Sequence, residues 1–76
     1  IHRILEESKK QPDVPQIKAF VESEIAKIEA FKLDYFEIAD DLTLQTVNTL
    51  ADASGIMGFI TVYVGEVRLI DNIRYK

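Results

Sequence analysis

The stretch that decides the fold is GFITVYVGEVRLIDNI, from Gly58 to Ile73. Its β-branched and aromatic residues fall on both sides of the pair Gly65-Glu66. Such residues favour strands, and glycine tolerates the positive φ that a two-residue hairpin loop requires. The pattern therefore predicts two antiparallel strands, 58–64 and 67–74, joined at this turn.

Pairing Val64 with Val67 across the turn sets the register, because the side chains of a strand alternate between the two faces of a sheet. We call the face that is expected to pack against a helix the core face, and the opposite face the second face. The core face is predicted to carry Ile60, Val62, Val64, Val67 and Leu69, and the second face Phe59, Thr61, Tyr63, Arg68 and Ile70.

Polar residues interrupt the apolar pattern of the last strand at Arg68, Asp71 and Asn72. The register places Arg68 opposite Tyr63, where a guanidinium over an exposed phenol ring contributes roughly 0.5–1 kcal/mol. It also places Asp71 opposite Ile60, on the core face. A carboxylate there needs a partner, so Asp71 and Asn72 are expected to cap a turn or to bond to neighbouring backbone.

A third strand is predicted before the hairpin, at residues 32–39, where the sequence KLDYFEIA is β-branched and aromatic. Its alternation is imperfect, with Leu33 and Tyr35 expected on one face and Phe36 and Ile38 on the other. Asp40 and Asp41 then predict a turn. Residues 42–53 carry only a weak apolar series, which fits either a loop or a short helix.

The first part of the chain predicts two helices. Residues 1–10 have the apolar spacing and charge order of the end of an amphipathic helix. Asp13, followed three positions later by Gln16, is a variant of the capping box, and it predicts a second helix from Gln16 to Phe31. Its apolar stripe consists of Ile17, Phe20, Val21, Ile25 and Ile28.

The hydrophobic period changes from 3.6 to two after Phe31, which predicts an α+β fold. We expect two helices packed on a small three-stranded antiparallel sheet that ends in a C-terminal hairpin. The main core is predicted to consist of Ile60, Val62, Leu69, Ile17, Phe20, Val21 and Ile25.

Length and composition restrict the class of protein. The chain has 76 residues, enough for one small domain with a thin core. It contains no cysteine, which excludes a disulfide framework and favours a reducing compartment, so a cytoplasmic location is expected. The net charge of -4 argues against binding to nucleic acid or to an anionic membrane surface.

Residues that could carry chemistry are few. His2 is the only histidine, and there is no cysteine with which it could form a nucleophilic pair. No serine stands in a Gly-x-Ser-x-Gly turn, and no glycine motif is followed by the Lys-Ser or Lys-Thr of a phosphate loop. The residues therefore predict no catalytic, cofactor-binding or metal site in this chain.

The segment VGEVRLIDNI, from Val64 to Ile73, closely resembles the ending of pantothenate synthetases, the pantoate–β-alanine ligases. The preceding LDYFEIADDLTLQ is similar to a second block of that family, an Asp-Tyr-x-Glu-Ile strand followed by an Asp and a Thr-Leu pair, and the two blocks occur in the expected order. The family signature comprises Arg68, Leu69, Ile70, Asp71 and Asn72, which the resemblance implies to be structural or to face another domain.

The resemblance implies that residues 1–76 form the C-terminal domain of a longer ligase, a lid over an N-terminal nucleotidyltransferase domain. The whole enzyme would use ATP and magnesium to join pantoate to β-alanine through a pantoyl adenylate, and the partner of this chain would be that catalytic domain. No ATP or magnesium is expected on the 76 residues themselves, which are predicted to be inactive alone and to self-associate through exposed apolar surface. The alternative is a free-standing α+β binding or interaction module without catalysis.

Overall fold

A computed structural model describes all residues from 1 to 76 and confirms the α+β fold. The sheet has three antiparallel strands in the order β1-β2-β3. The elements are α1, His2–Ser8; α2, Val14–Ala26; β1, Phe31–Asp40; a 3₁₀ turn, Leu50–Asp52; β2, Ile56–Val64; and β3, Val67–Arg74.

The hairpin of β2 and β3 has the predicted register. Val64 pairs with Val67, Tyr63 with Arg68, and Ile60 with Asp71. Gly65 has a φ of 63°, a conformation that glycine adopts without steric cost, so the turn forms where the sequence predicts it.

Strand β1 contains an irregularity that the sequence pattern did not reveal. Its register shifts between Leu33, which pairs with Val62, and Tyr35, which pairs with Thr61. Asp34 is the extra residue of a β-bulge, and a bulge reverses the alternation of side chains. The expectation that Leu33 shares a face with Tyr35 is therefore wrong, because Leu33 lies on the core face.

Helix α2 is shifted towards the N-terminus relative to its prediction. It begins at Val14, whose N–H donates to the Asp13 carboxylate at 2.8 Å, and it ends at Ala26 instead of Phe31. The helix stops early because Phe31 already pairs with Val64 in the sheet. Neither helix combines the length and apolar character that crossing a bilayer requires.

Both helices cover the core face of the sheet, where they enclose one hydrophobic cluster. The predicted core residues Ile17, Val21, Ile25, Ile60 and Val62 all belong to it and are at most 1% exposed. Two further members of the predicted core lie outside the buried set. These are Phe20, which packs at the margin of the cluster, and Leu69, which is 36% exposed.

Leu69 is exposed because α1 reaches only the last part of β3. The polar contacts of α1 at this end of the sheet are His2 with Asp71 in β3 and Ser8 with Tyr75 just after the strand. The first half of β3 therefore extends beyond the helices, although its side chains alternate as predicted.

Candidate functional site

The signature residues Arg68–Asn72 lie in the middle of β3, which is an edge strand of the sheet. Ile70 is 65% exposed, and Val67, which directly precedes the signature, is 60% exposed. The structure places the five signature residues in a single strand, with side chains on both faces of the sheet, and it does not gather them into a pocket. Their role at an interface between domains stays a prediction.

Asp71 is the signature residue with identifiable polar partners. One carboxylate oxygen accepts a hydrogen bond from the N–H of Asn72 at 2.8 Å, which is one of the backbone bonds expected from the sequence. The other oxygen lies 3.4 Å from Nδ1 of His2. The pair joins β3 to α1, and sequence reasoning missed it because the two residues lie far apart in the chain.

The second face of the sheet is not covered by either helix. The sheet residues of the buried cluster all come from the core face. The second face is formed by four rows of paired residues, which are Lys32, Tyr63 and Arg68; Tyr35, Thr61 and Ile70; Glu37, Phe59 and Asn72; and Ala39, Met57 and Arg74. Its centre is thus largely aromatic and aliphatic.

Thr61 lies at the centre of the second face and is completely buried by its neighbours. Its hydroxyl has no hydrogen-bond partner. A buried polar group without a partner lowers the stability of the folded chain. No sequence signal marked this residue, which the strand pattern placed simply on the second face.

A tight loop follows β1 and forms the rim of the second face. The Asp40 carboxylate accepts hydrogen bonds from the N–H groups of Leu42, at 2.8 Å, and Thr43, at 3.3 Å. This arrangement confirms the turn predicted at Asp40. The chain then returns beside β1, where Thr46 pairs with Ala39 in an isolated bridge.

Leu44, in this loop, has a φ of 61° and is 66% exposed. Positive φ is uncommon for residues other than glycine, asparagine and aspartate, and it is energetically unfavourable for leucine. Sequence reasoning placed Leu44 only in a weak apolar series. The unusual conformation was not predictable from that series, since leucine carries no signal for a left-handed backbone.

A cleft of about 250 Å³ lies between the loop and the second face. It is lined by Tyr35, Glu37, Ala39, Leu44, Thr46 and Phe59. The lining includes no cationic side chain, and Glu37 forms an ion pair with Lys18 at 3.9 Å. The cleft is therefore suited to an apolar group and unsuited to a phosphate, which requires positive charge or backbone N–H groups.

The segment after the loop is held by long-range polar contacts. The Asp13 carboxylate accepts a hydrogen bond from the N–H of Leu50 at 2.9 Å, and Nζ of Lys76 donates to the Leu50 carbonyl at 2.7 Å. Arg74 pairs with Asp41 at 2.9 Å. These contacts fix the rim of the second face to α2 and to the end of the chain.

The 3₁₀ turn contains a carboxyl group, that of Asp52, whose pKa is lowered. Hydrogen bonds from the backbone N–H of Thr49, then from that of Asn48, and from the Thr49 hydroxyl lower the pKa of Asp52. The carboxylate caps the turn together with Thr49.

No cluster of three or more His, Cys, Asp or Glu side chains could hold a metal ion.

The sequence as a whole matches one protein family. The family model described as Pantoate-beta-alanine ligase covers residues 1–74, and the chain belongs to this family. It is 48% identical over 67 residues to a pantothenate synthetase of Phocaeicola vulgatus and 49% identical over 63 residues to one of Bacteroides fragilis. It is also 40% identical over 78 residues to a pantothenate synthetase of Azobacteroides pseudotrichonymphae.

These matches include nearly all of this chain but a small part of each relative. They cover 88%, 83% and 99% of the chain, and 24%, 22% and 28% of the respective relatives. The chain thus spans about a quarter of the length of the curated relatives that it matches. The family resemblance seen in the signature strand is confirmed over the helices as well.

Proposed function

We propose that residues 1–76 form the C-terminal lid domain of a longer pantoate–β-alanine ligase, a pantothenate synthetase. The observation that carries the proposal is the match of one ligase family to residues 1–74, combined with relatives about four times as long. A match over both helices and the whole sheet favours a ligase domain over a free-standing module that shares only a hairpin.

The whole enzyme joins pantoate to β-alanine in two steps. The pantoate carboxylate attacks the α-phosphorus of ATP, which forms pantoyl adenylate and releases pyrophosphate. The amine of β-alanine then attacks the acyl carbon, which forms pantothenate and releases AMP. A lid is useful between these steps because water would otherwise hydrolyse the adenylate.

ATP and magnesium are proposed for the whole enzyme, and the residues described above do not fit a site for either. The cleft contains a carboxylate and no cation, and the acidic residues do not converge on a metal position. The catalytic groups therefore belong to the partner domain of the same chain, which also binds pantoate and β-alanine. We also propose a cytoplasmic location, because a domain without cysteine has no disulfide that would call for an oxidising compartment.

The experiment that tests this function uses the full-length protein and a version that lacks residues 1–76. The full-length protein should form pantothenate from pantoate, β-alanine, ATP and magnesium, with one AMP for each pantothenate. The truncated version should form pantothenate at least 100-fold more slowly, with AMP in excess because the adenylate meets water. A full-length protein that makes no pantothenate, or a truncation with unchanged rate and ratio, would contradict the proposal.

A further inference from the structure

The second face combines two properties that a solvent-facing sheet surface rarely has together. It has an apolar centre, with Tyr35 41% exposed and Ile70 65% exposed, and no helix covers it. It also has a strained apolar residue, Leu44, at its rim. Apolar patches of this kind on a small domain mark interaction surfaces.

The conformation of Leu44 strengthens this interpretation. Asparagine or glycine would satisfy the local backbone better, since they adopt positive φ readily. Strained residues persist where the surrounding structure or a function requires them. The side chain of Leu44 lines the cleft with Phe59, whereas Leu42 of the same loop is 84% exposed and does not line it.

The size of the face indicates which kind of partner it fits. Strand spacing and rise give it roughly 400 Å², about half of the 800 Å² that each partner contributes to a standard interface between separate proteins. Two such surfaces bury an area within the range of interfaces between domains of one chain, roughly 600–1,500 Å². A tether between domains supplies the effective concentration that a small interface needs.

We infer that the second face of the sheet, with Leu44 at its rim, is the surface through which this domain docks on the rest of its own chain. The occupant is an apolar patch within the remaining three-quarters of the protein, with an aliphatic or aromatic group seated in the cleft beside Phe59. The inference deepens the proposed function, on which it rests, because it states which side of the lid closes. The signature strand contributes to this surface through Ile70.

Hydroxyl-radical footprinting of the full-length protein tests the surface directly. After correction for intrinsic reactivity, Tyr35 and Ile70 should be oxidised at least fivefold more slowly than Leu42, which is the internal reference. The exposures in the isolated domain, 41% for Tyr35, 65% for Ile70 and 84% for Leu42, account for at most about a twofold difference. Oxidation of Tyr35 and Ile70 at the rate of solvent-exposed residues would overturn the inference.

Two matched substitutions in one loop separate docking from folding. Leu44→Asn removes the apolar contact while suiting the local backbone, so it should expose Tyr35 and Ile70 to oxidation without lowering the melting temperature. Leu42→Asn should leave the footprint unchanged. Equal footprints for both variants would overturn the role of Leu44.

The result is distinguishable from that of the activity experiment. A protein that forms pantothenate but leaves Ile70 unprotected keeps the proposed function and loses the docking surface. A protein that protects Ile70 but forms no pantothenate keeps the surface and loses the function. Protection that disappears on dilution would show that a second copy, instead of the same chain, covers the face, and this too would overturn the inference.

Discussion

The hydroxyl of Tyr75 lies 2.7 Å from Oγ of Ser8, so the residues that follow β3 are joined to the end of α1. Ser8 is completely buried and donates its one hydroxyl proton to the carbonyl of Leu5, so it accepts the hydrogen bond from Tyr75. The ring of Tyr75 occupies the space over Gly58, where a Cβ atom would come within 2.6 Å of it. This contact holds the short first helix on the sheet.

Burial raises the pKa of Tyr75 above its ordinary value of 10.0, with a smaller contribution from the negative charge of Glu6 and an opposing one from the Ser8 hydrogen bond. The folded chain thus keeps the phenol proton to a higher pH than the unfolded chain does. The resulting stabilisation is complete below pH 10 and is lost as the pH rises through the folded pKa.

We expect Tyr75→Phe to lower the free energy of unfolding at pH 7 by about 1 kcal/mol, through loss of the hydrogen bond. As the pH rises above 9, the free energy of unfolding of the variant should also fall less than that of the parent, since the variant has no phenol to ionise at this position. Urea unfolding across this range measures both effects. Tyr63→Phe is the control, because the Tyr63 hydroxyl makes no hydrogen bond within the chain, and an equal response of the two variants would contradict the assignment.

Asp13 is expected to stabilise two elements at once, because its carboxylate accepts hydrogen bonds from Val14 and Leu50. Asp13→Ala removes both bonds and should cost about 1–2 kcal/mol in the free energy of unfolding. Asp13→Asn keeps an acceptor oxygen and should cost less than half as much. Thermal unfolding of both variants decides this, and similar losses for the two would exclude the capping explanation.

Val62→Asp should unfold the domain, because Val62 is completely buried and an unpaired buried carboxylate costs several kcal/mol. That is comparable with the whole stability of a small domain. Val67→Asp, on the same face but 60% exposed, should change the melting temperature little. Circular dichroism compares them; a folded Val62→Asp chain would show that the core face is wrongly assigned.

Thr61→Val is expected to stabilise the domain by about 1 kcal/mol. Valine has nearly the shape of threonine, favours strands equally well and leaves no buried hydroxyl without a partner. Thr46→Val provides a comparison at an exposed site, where the change should stay within about 0.5 kcal/mol. A lower melting temperature for Thr61→Val would indicate that the hydroxyl has a partner after all.

The purified 76-residue chain should form no pantothenate from pantoate, β-alanine, ATP and magnesium. A lid excludes water, whereas adenylation also needs groups that stabilise charge on the phosphates. Its uncovered second face should promote self-association at high concentration, which light scattering would detect. Turnover that is abolished by a substitution within these residues would contradict the assignment as a lid.

The hairpin was predictable in detail because its signals are local. Val64, Gly65 and Val67 specify a two-residue turn, and period-two alternation then sets the pairing over the rest of both strands.

The core residues of α2 were predictable for a similar reason. Their spacing identifies Ile17, Val21 and Ile25 as buried, although the helix begins and ends earlier than predicted. The other two members of the predicted stripe differ, because Phe20 is only partly buried and Ile28, beyond the end of the helix, is 36% exposed.

The features that sequence reasoning missed depend on distant contacts or on atypical backbone. The bulge at Asp34 involves an ordinary residue whose exceptional position is visible only against the partner strand. The pairing of His2 with Asp71 joins opposite ends of the chain. The signature strand is recognisable from the sequence as a family feature. Its exposure, however, depends on how much of β3 is covered by α1, and no local sequence pattern predicts this.

The bulge at Asp34 also bears on how the length of this strand can vary. Leu33 and Tyr35 already pair with the adjacent residues Val62 and Thr61, so deletion of Asp34 would leave both pairs and both faces unchanged. Deletion of another interior residue of β1 would turn the side chains on one side of the gap to the wrong face. Strand β1 thus has one interior position at which a codon can be lost while the sheet keeps its two faces.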